Sequence, residues 1–331
     1  MGSKQKLLPW IHEVLSEFRF RSVLDGFSGS GCVSYMLKVM GKKVTANDFL
    51  TFCKTVAHAT VENGVVRILP KDLDLILRKD RHAPRFIQRT FDGIFFASSD
   101  LRFLDRVSWN TKKLLNPYSR SLVMAALIRS CVKRQPRGVF TVAGDPQKYK
   151  DGRRDVMLSI EEHFREQIEI YNSTVFDNGC ENRALQGSIF EVPRIGHDYD
   201  LVYLDPPYVP RSDDNCYIKR YHFLEGLACY WEGQEILEQS KVKKIRKKYT
   251  PFSYRSDALS AFEQLFLSFR RSTLVLSYSS NGFPDLDYLV TLMKKVKKGV
   301  KVFEKDHRYH FGTHSAVKRS VATEYLIVGH E

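Results

Sequence analysis

An acid, two prolines and an aromatic, Asp205-Pro206-Pro207-Tyr208, follow directly on the apolar run Leu201 to Leu204. In an open α/β sheet ligands sit beyond the carboxyl ends of the strands, so these four residue types stand where chemistry is done. Asp205 offers a carboxylate and Pro206 a backbone carbonyl, and Pro207 holds that carbonyl still by restricting its predecessor to extended geometry. Tyr208 offers a flat face on which a base can stack, a contact worth about 1–3 kcal/mol. Two fixed acceptors beside an aromatic platform suit a planar amine conjugated to a base, as on adenine. Its lone pair is delocalised into the ring until its hydrogens are drawn out of plane. Held so, the nitrogen can attack an electrophilic methyl, with positioning and charge stabilisation as the catalytic devices and no covalent nucleophile. The plainer alternative is a strand end built from ordinary turn residues.

A second constellation, "VLDGFSGSG" at 23–31, places Asp25, Gly26, Phe27, Ser28, Gly29, Ser30 and Gly31 between a strand and a helix. Glycines there let a ligand approach the backbone, and the helix start offers unpaired N–H groups. Ser34 stands three residues after Gly31, so the dinucleotide fingerprint fits poorly and a nicotinamide enzyme is the weaker reading. Asp48 lies seventeen residues beyond Gly31, just past the next strand, where a carboxylate can accept both ribose hydroxyls. A glycine turn followed by an acid indicates a nucleoside-bearing cofactor; a purely structural turn is the alternative.

Positioning both sets requires strands that end at the same rim. The periodicity predicts a helix over 4–18, a strand at "SVLDGF", a helix at "GCVSYMLKVMG" and a strand at "KVTAND", which is a βαβ opening. Strands are expected near 183–187, 199–204, 272–279, 299–304 and 321–328, with helices near 218–231, 256–269 and 285–297. That order predicts an α/β fold with a mostly parallel sheet and an antiparallel edge hairpin. Between 64 and 183 the rhythm breaks into helical, Arg-rich pieces. We therefore expect a catalytic domain of 1–63 and 184–331 carrying an inserted, mainly helical region of 64–183.

At 331 residues and a net charge of +14, the chain is large enough for a substantial core and more basic than solubility requires. Such a surplus points to a polyanion, nucleic acid first, because neutralised phosphates release counterions. Candidate contacts are Arg81, Arg85, Arg89, Arg102, Arg106, Arg120 and Arg129 in the insert, and Lys243, Lys244, Arg246 and Lys247 in the run "KVKKIRKK", where six of eight residues are basic. That run reads equally as a solvated loop. No membrane-length apolar run, signal-peptide core or myristoylation pattern is present, so a cytoplasmic setting of bacterial or phage type is expected. Six scattered cysteines without a C-x-x-C pair signal neither zinc nor disulfides, and no metal is expected. His222, alone in "YHFLEGLACYW", reads as structural rather than as a proton carrier.

These motifs together resemble the Dam-like, alpha-group DNA adenine methyltransferases, which use S-adenosylmethionine, over most of the chain outside the insert. "GSKQKLL" (2–8) looks like the N-terminal cofactor segment of that family, matching Lys4 to its lysine; "DGFSGSG" looks like its glycine loop, and "AND" like the motif whose acid, here Asp48, holds the ribose. Asp205 to Tyr208 match its catalytic tetrad. The order, glycine loop first, insert next and tetrad last, is that of the group. Where relatives carry an Asp-Phe pair for the cofactor's adenine, this chain has Ser188 and Ile189. The resemblance implies a Rossmann-like enzyme that methylates the N6 amine of an adenine flipped out of duplex DNA, and a possible cognate endonuclease as functional partner. Cytosine N4 or RNA adenine as substrate, and a silent DNA-binding relative, are the alternatives.

Overall fold

The computed structural model describes residues 3–144, 152–196, 198–210, 217–308 and 321–331. The chain divides into two compact units. One, formed by Gly2–Phe49, Cys180–Cys216 and Tyr249–Glu331, holds every strand of a seven-stranded sheet. In chain order the strands are β1 (Ser22–Asp25), β2 (Lys43–Asp48), β3 (Arg183–Gln186), β4 (Leu201–Leu204), β5 (Val209–Pro210), β6 (Thr273–Ser279), β7 (Gly282–Phe283), β8 (Gly299–Arg308) and β9 (Val321–His330). The sheet runs β3-β2-β1-β4-β6-β9-β8, and β5 pairs with β7 apart from it.

Pairing is parallel from β3 across to β6, with Val23 opposite Leu201 and Leu201 opposite Thr273. β9 runs against both of its neighbours. All four residues of β4 are buried, as a central strand covered on both faces requires, which is why its sequence is apolar without alternation. The sheet core joins Leu24, Val202, Leu204, Leu274 and Leu276 to Phe262, Leu265 and Phe266 of the helix Arg255–Ser268 and to Leu289 and Leu292 of the helix Leu286–Lys294. From β1 the chain builds outward through β2 to β3, then returns to lay β4 on the other flank. The carboxyl ends of β1 and β4 therefore border the topological switch point of the sheet, the place where open α/β sheets bind ligands.

The second unit, Leu50–Gly179 with Tyr217–Lys248, is helical. Its longest helices are Ser98–Thr111, Pro117–Arg134 and Ile160–Ser173. Phe223, on the helix Tyr217–Cys229, meets Phe91, Phe140 and Trp231 at ring-centroid separations of 5.0, 5.1 and 5.3 Å. Glu225, two residues further and wholly buried, accepts from the Thr51 hydroxyl at 2.9 Å and the Phe52 N–H at 3.2 Å, and so satisfies the start of the helix Thr51–Ala57. His222 donates from Nε2 to the Phe140 carbonyl at 2.8 Å, and burial pushes its pKa down to about 4. It is a neutral, structural histidine.

The N-terminal helix is shorter than its periodicity suggests. Ser3–Leu7 is a 3₁₀ turn and the α-helix spans Leu8–Ser16, because Pro9 suits a first helical turn and no earlier position. No helix among the described residues is long and apolar enough to cross a membrane.

Candidate active site

The glycine turn closes tightly on the strands beside it. Gly26 donates to the Tyr203 carbonyl and Ser28 to that of Asn47, each at 2.9 Å, while the Gly31 N–H reaches back to Ser28 O at 2.7 Å. Gly29 and Gly31 have φ of +52° and +76°, which only glycine adopts without strain. A Cβ on Gly26 would lie 2.7 Å from Ile189 Cδ1, so that side chain fills the floor under the turn. Asp48 accepts the Gly29 N–H on Oδ2 at 2.9 Å, and the Asn47 amide donates to the Gly26 and Gly187 carbonyls at 3.2 and 3.3 Å. The "AND" acid thus faces the turn it was paired with in sequence.

Asp205 leaves β4 beside this turn. Its Oδ1 lies 3.3 Å from Lys4 Nζ, and the same ammonium lies 2.9 Å from Oε2 of Glu324. Burial raises the Asp205 pKa; Lys4 opposes that rise and the Glu324 charge adds to it. Tyr208 stands edge-on to Tyr278 of β6, centroids 5.4 Å apart at 61°. The next residue, Val209, pairs with Phe283 in the two-residue ribbon, which fixes the exit of the loop. Phe27 meets Phe252 edge-on at 5.4 Å, and Phe252 stacks on Phe190 at 5.8 Å.

Fold and turn therefore bring together Lys4, Asp25, Phe27, Ser28, Gly29, Ser30, Gly31, Asp48, Ser188, Ile189, Asp205, Pro206, Pro207 and Tyr208 within the sheet unit. Gly2 lies outside the described residues. Ile189 is buried in the core, Ser188 accepts the Phe190 N–H at 3.4 Å, and Phe190 is the half-buried aromatic of that segment. Three residues were passed over by sequence reasoning: Glu324, Asn47 and Phe190. The signal for Glu324 was an acid inside the apolar strand "TEYLIV".

The basic candidates separate by environment. Arg81, Arg85 and Arg89 are exposed, and Arg85 and Arg89 make no ion pair among the described residues. Arg120 instead donates to the carbonyls of Leu114 and Leu115 at 2.7 and 3.2 Å, closing a turn. Arg106 pairs with Glu161 at 3.2 Å. In the run at 241–248, Val242 and Ile245 are buried anchors. Lys243 pairs with Glu238 at 2.7 Å, Arg246 with Glu235 at 2.9 Å and Lys248 with Glu225 at 3.1 Å. Lys244 is half-buried and Lys247 is exposed.

Asp25 supplies a measurable signature of this site. Its carboxylate is buried, accepts the Ser34 hydroxyl at 2.6 Å, and has its pKa pushed up to about 7, chiefly by burial, with the charges of Asp205 and Asp48 adding and the Ser34 bond opposing. A folded-state pKa above the unfolded value of 3.8 favours the folded protein below pH 3.8, and that contribution is lost as pH rises through about 7. An asparagine does not titrate. Asp25→Asn should therefore gain thermal stability relative to the parent as pH climbs through that window, by up to about 4 kcal/mol. Melting curves of the two that stay parallel across the window would show that the acid is not held neutral.

Comparison with known proteins completes the picture. The model of the D12 class of N6 adenine-specific DNA methyltransferases matches residues 1–279. The Type II methyltransferase M2.HphI of Haemophilus parahaemolyticus is 29% identical over 323 residues, covering 93% of this chain and 90% of that protein. The Type II methyltransferase M.NlaIII of Neisseria lactamica is 20% identical, covering 90% and 88%. The modification methylase LlaI of Lactococcus lactis subsp. lactis is 23% identical; 96% of this chain matches 52% of it, so the chain spans about half of that longer relative.

Proposed function

The chain belongs to the D12 class of N6 adenine-specific DNA methyltransferases, and from that membership we propose that it is the modification enzyme of a restriction-modification system, acting with S-adenosylmethionine on an adenine rotated out of duplex DNA. The observation that carries the reading is the meeting, at one switch point, of an acid-proline-proline-tyrosine loop after β4 with a glycine turn after β1.

The cofactor fits the residues present. Buried polar groups are normally paired, yet Asp25 Oδ1, Ser28 Oγ and Asn47 Oδ1 make no hydrogen bond among the described residues, and all three border the glycine turn. A polar ligand lying against the turn would complete them. Asp25, Phe27, Ser28, Gly29, Ser30 and Gly31 would hold its amino-acid end, with Lys4 close by. Asp48 would hold the ribose, and the Ser188–Ile189 segment with Phe190 would border the adenine. When bound, S-adenosylmethionine supplies a methyl group made electrophilic by its sulfonium sulfur.

The protein's part is to bring a nitrogen to that methyl. Rotating the base out of the duplex costs a few kcal/mol of lost stacking, which contact with Tyr208 offsets. The Asp205 carboxylate and the Pro206 carbonyl accept the two amine hydrogens and draw them out of plane, leaving the N6 lone pair aimed at the methyl. The negative charge of Asp205 then stabilises the positive charge that develops on N6. Residues 64–183, with exposed Arg81, Arg85 and Arg89, take the role of sequence reader, since arginine can bond two acceptors of guanine in the major groove. A cognate endonuclease would share the site without a stable complex.

Expression in a host that lacks adenine methylation, followed by sequencing of its genomic DNA for modified bases, tests the reading. N6-methyladenine confined to one short sequence context is the expected result. N4-methylcytosine, or unmodified DNA from cells that contain folded enzyme, would overturn it.

A further inference from the structure

Glu324 is wholly buried in β9, among Ala322, Leu326, Ile327 and Val328. Because β9 is the reversed strand, its beginning lies at the rim where the parallel strands end. Glu324 is in register with Ser279, the last residue of β6, and Asp205 follows the last residue of the neighbouring β4. A carboxylate taken wholly out of water is costly unless a cation compensates it. Lys4 Nζ does so at 2.9 Å, and the same ammonium lies 3.3 Å from Asp205 Oδ1. One cation thus serves two acids.

Resting on the reading of Asp205 as the group that grips the amine, we propose that Glu324 is a positioning residue for methyl transfer: it holds Lys4 by one side so that the ammonium orients Asp205 without neutralising it. Shared between two carboxylates, the ammonium leaves Asp205 part of its negative charge. That charge matches the positive charge on N6 as its lone pair bonds to the methyl carbon, the displaced electron pair going to sulfur and the surplus proton to solvent. Without Glu324, Lys4 would cancel the charge of Asp205 outright and compete with the amine for its oxygen. The other titratable groups that act on Asp205 are Asp25 after β1, Cys32 at the start of the helix Cys32–Val39, Tyr203 in β4 and Tyr208. None of these described groups is a cation.

Single-turnover methylation of a duplex oligonucleotide, followed from pH 5 to 9, separates this role from simple packing. Glu324→Gln keeps the shape and removes the charge. It should slow transfer about tenfold or more, leave duplex affinity within about twofold, and move the acid limb of the profile down by about one pH unit, because a like charge that raised the Asp205 pKa has gone. Lys4→Gln should move the same limb up. Opposite shifts from the two variants are the expected signature. A Glu324→Gln enzyme that melts earlier but keeps the parent limb would reduce Glu324 to a packing residue and overturn the proposal. Should Glu324→Gln not fold, Glu324→Asp, which draws the charge back by one methylene, should give a smaller downward shift, and an unmoved limb there overturns it equally. A parent that leaves DNA unmethylated sinks the functional reading first; an active parent whose limb ignores both variants sinks this inference alone.

Discussion

Asp205→Ala is expected to lower single-turnover methyl transfer by about a hundred- to a thousandfold while the protein stays folded and still binds S-adenosylmethionine. The magnitude is that of removing one preorganised group aimed at developing charge. The fold should survive because the Asp205 side chain is a quarter exposed, and because its partner Lys4 keeps Glu324 when Asp205 is gone. No ion is left stranded in the core. Cofactor affinity should survive because the glycine turn is held by backbone bonds to Tyr203 and Asn47 and by Asp48, none of which involves Asp205. Asp205→Asn, which keeps one neutral acceptor oxygen, should fall between parent and alanine. Transfer by Asp205→Ala at the parent rate, measured with labelled cofactor at saturating duplex, would remove Asp205 from the chemistry.

The parts of this site that were legible in sequence are those fixed by local rules. β2 runs over "KVTAND" and β6 over "TLVLSYS" because branched and aromatic residues bounded by turn formers specify a strand by themselves. The glycine turn and the tetrad were legible because a positive φ demands glycine and a rigid loop end suits proline. What could not be read depends on residues far apart. Lys4 and Glu324 meet across 320 positions, and only the strand order shows that the start of β9 reaches the rim. Residues 217–248 group with the helical unit because Phe223, Glu225 and Trp231 find their partners there, a matter of packing that periodicity does not encode. The run at 241–248 looked like a bare basic tract; Val242 and Ile245 anchor it, and nearby glutamates engage Lys243 and Arg246.

That last finding sharpens what salt should do to DNA binding. A net charge of +14 implies phosphate contacts, and a protein that makes six to ten of them loses about 10³–10⁵ in affinity between 50 and 200 mM salt. The cations are not equivalent, however. Lys243 and Arg246 already face carboxylates, so a phosphate must displace an internal partner before either contributes, and Arg120 is occupied with backbone carbonyls. Arg85 and Arg89 are exposed without an ion pair among the described residues, and they lie about one helical turn apart at the start of the helix Phe86–Phe91. The logarithm of affinity should therefore fall steeply with the logarithm of salt in the parent, and the slope should flatten by about two when Arg85 and Arg89 are both replaced by alanine. Arg120→Ala should leave the slope unchanged. A titration of a fluorescent duplex across that salt range gives all three numbers, and a parent slope near zero would deny the surplus charge any part in holding DNA.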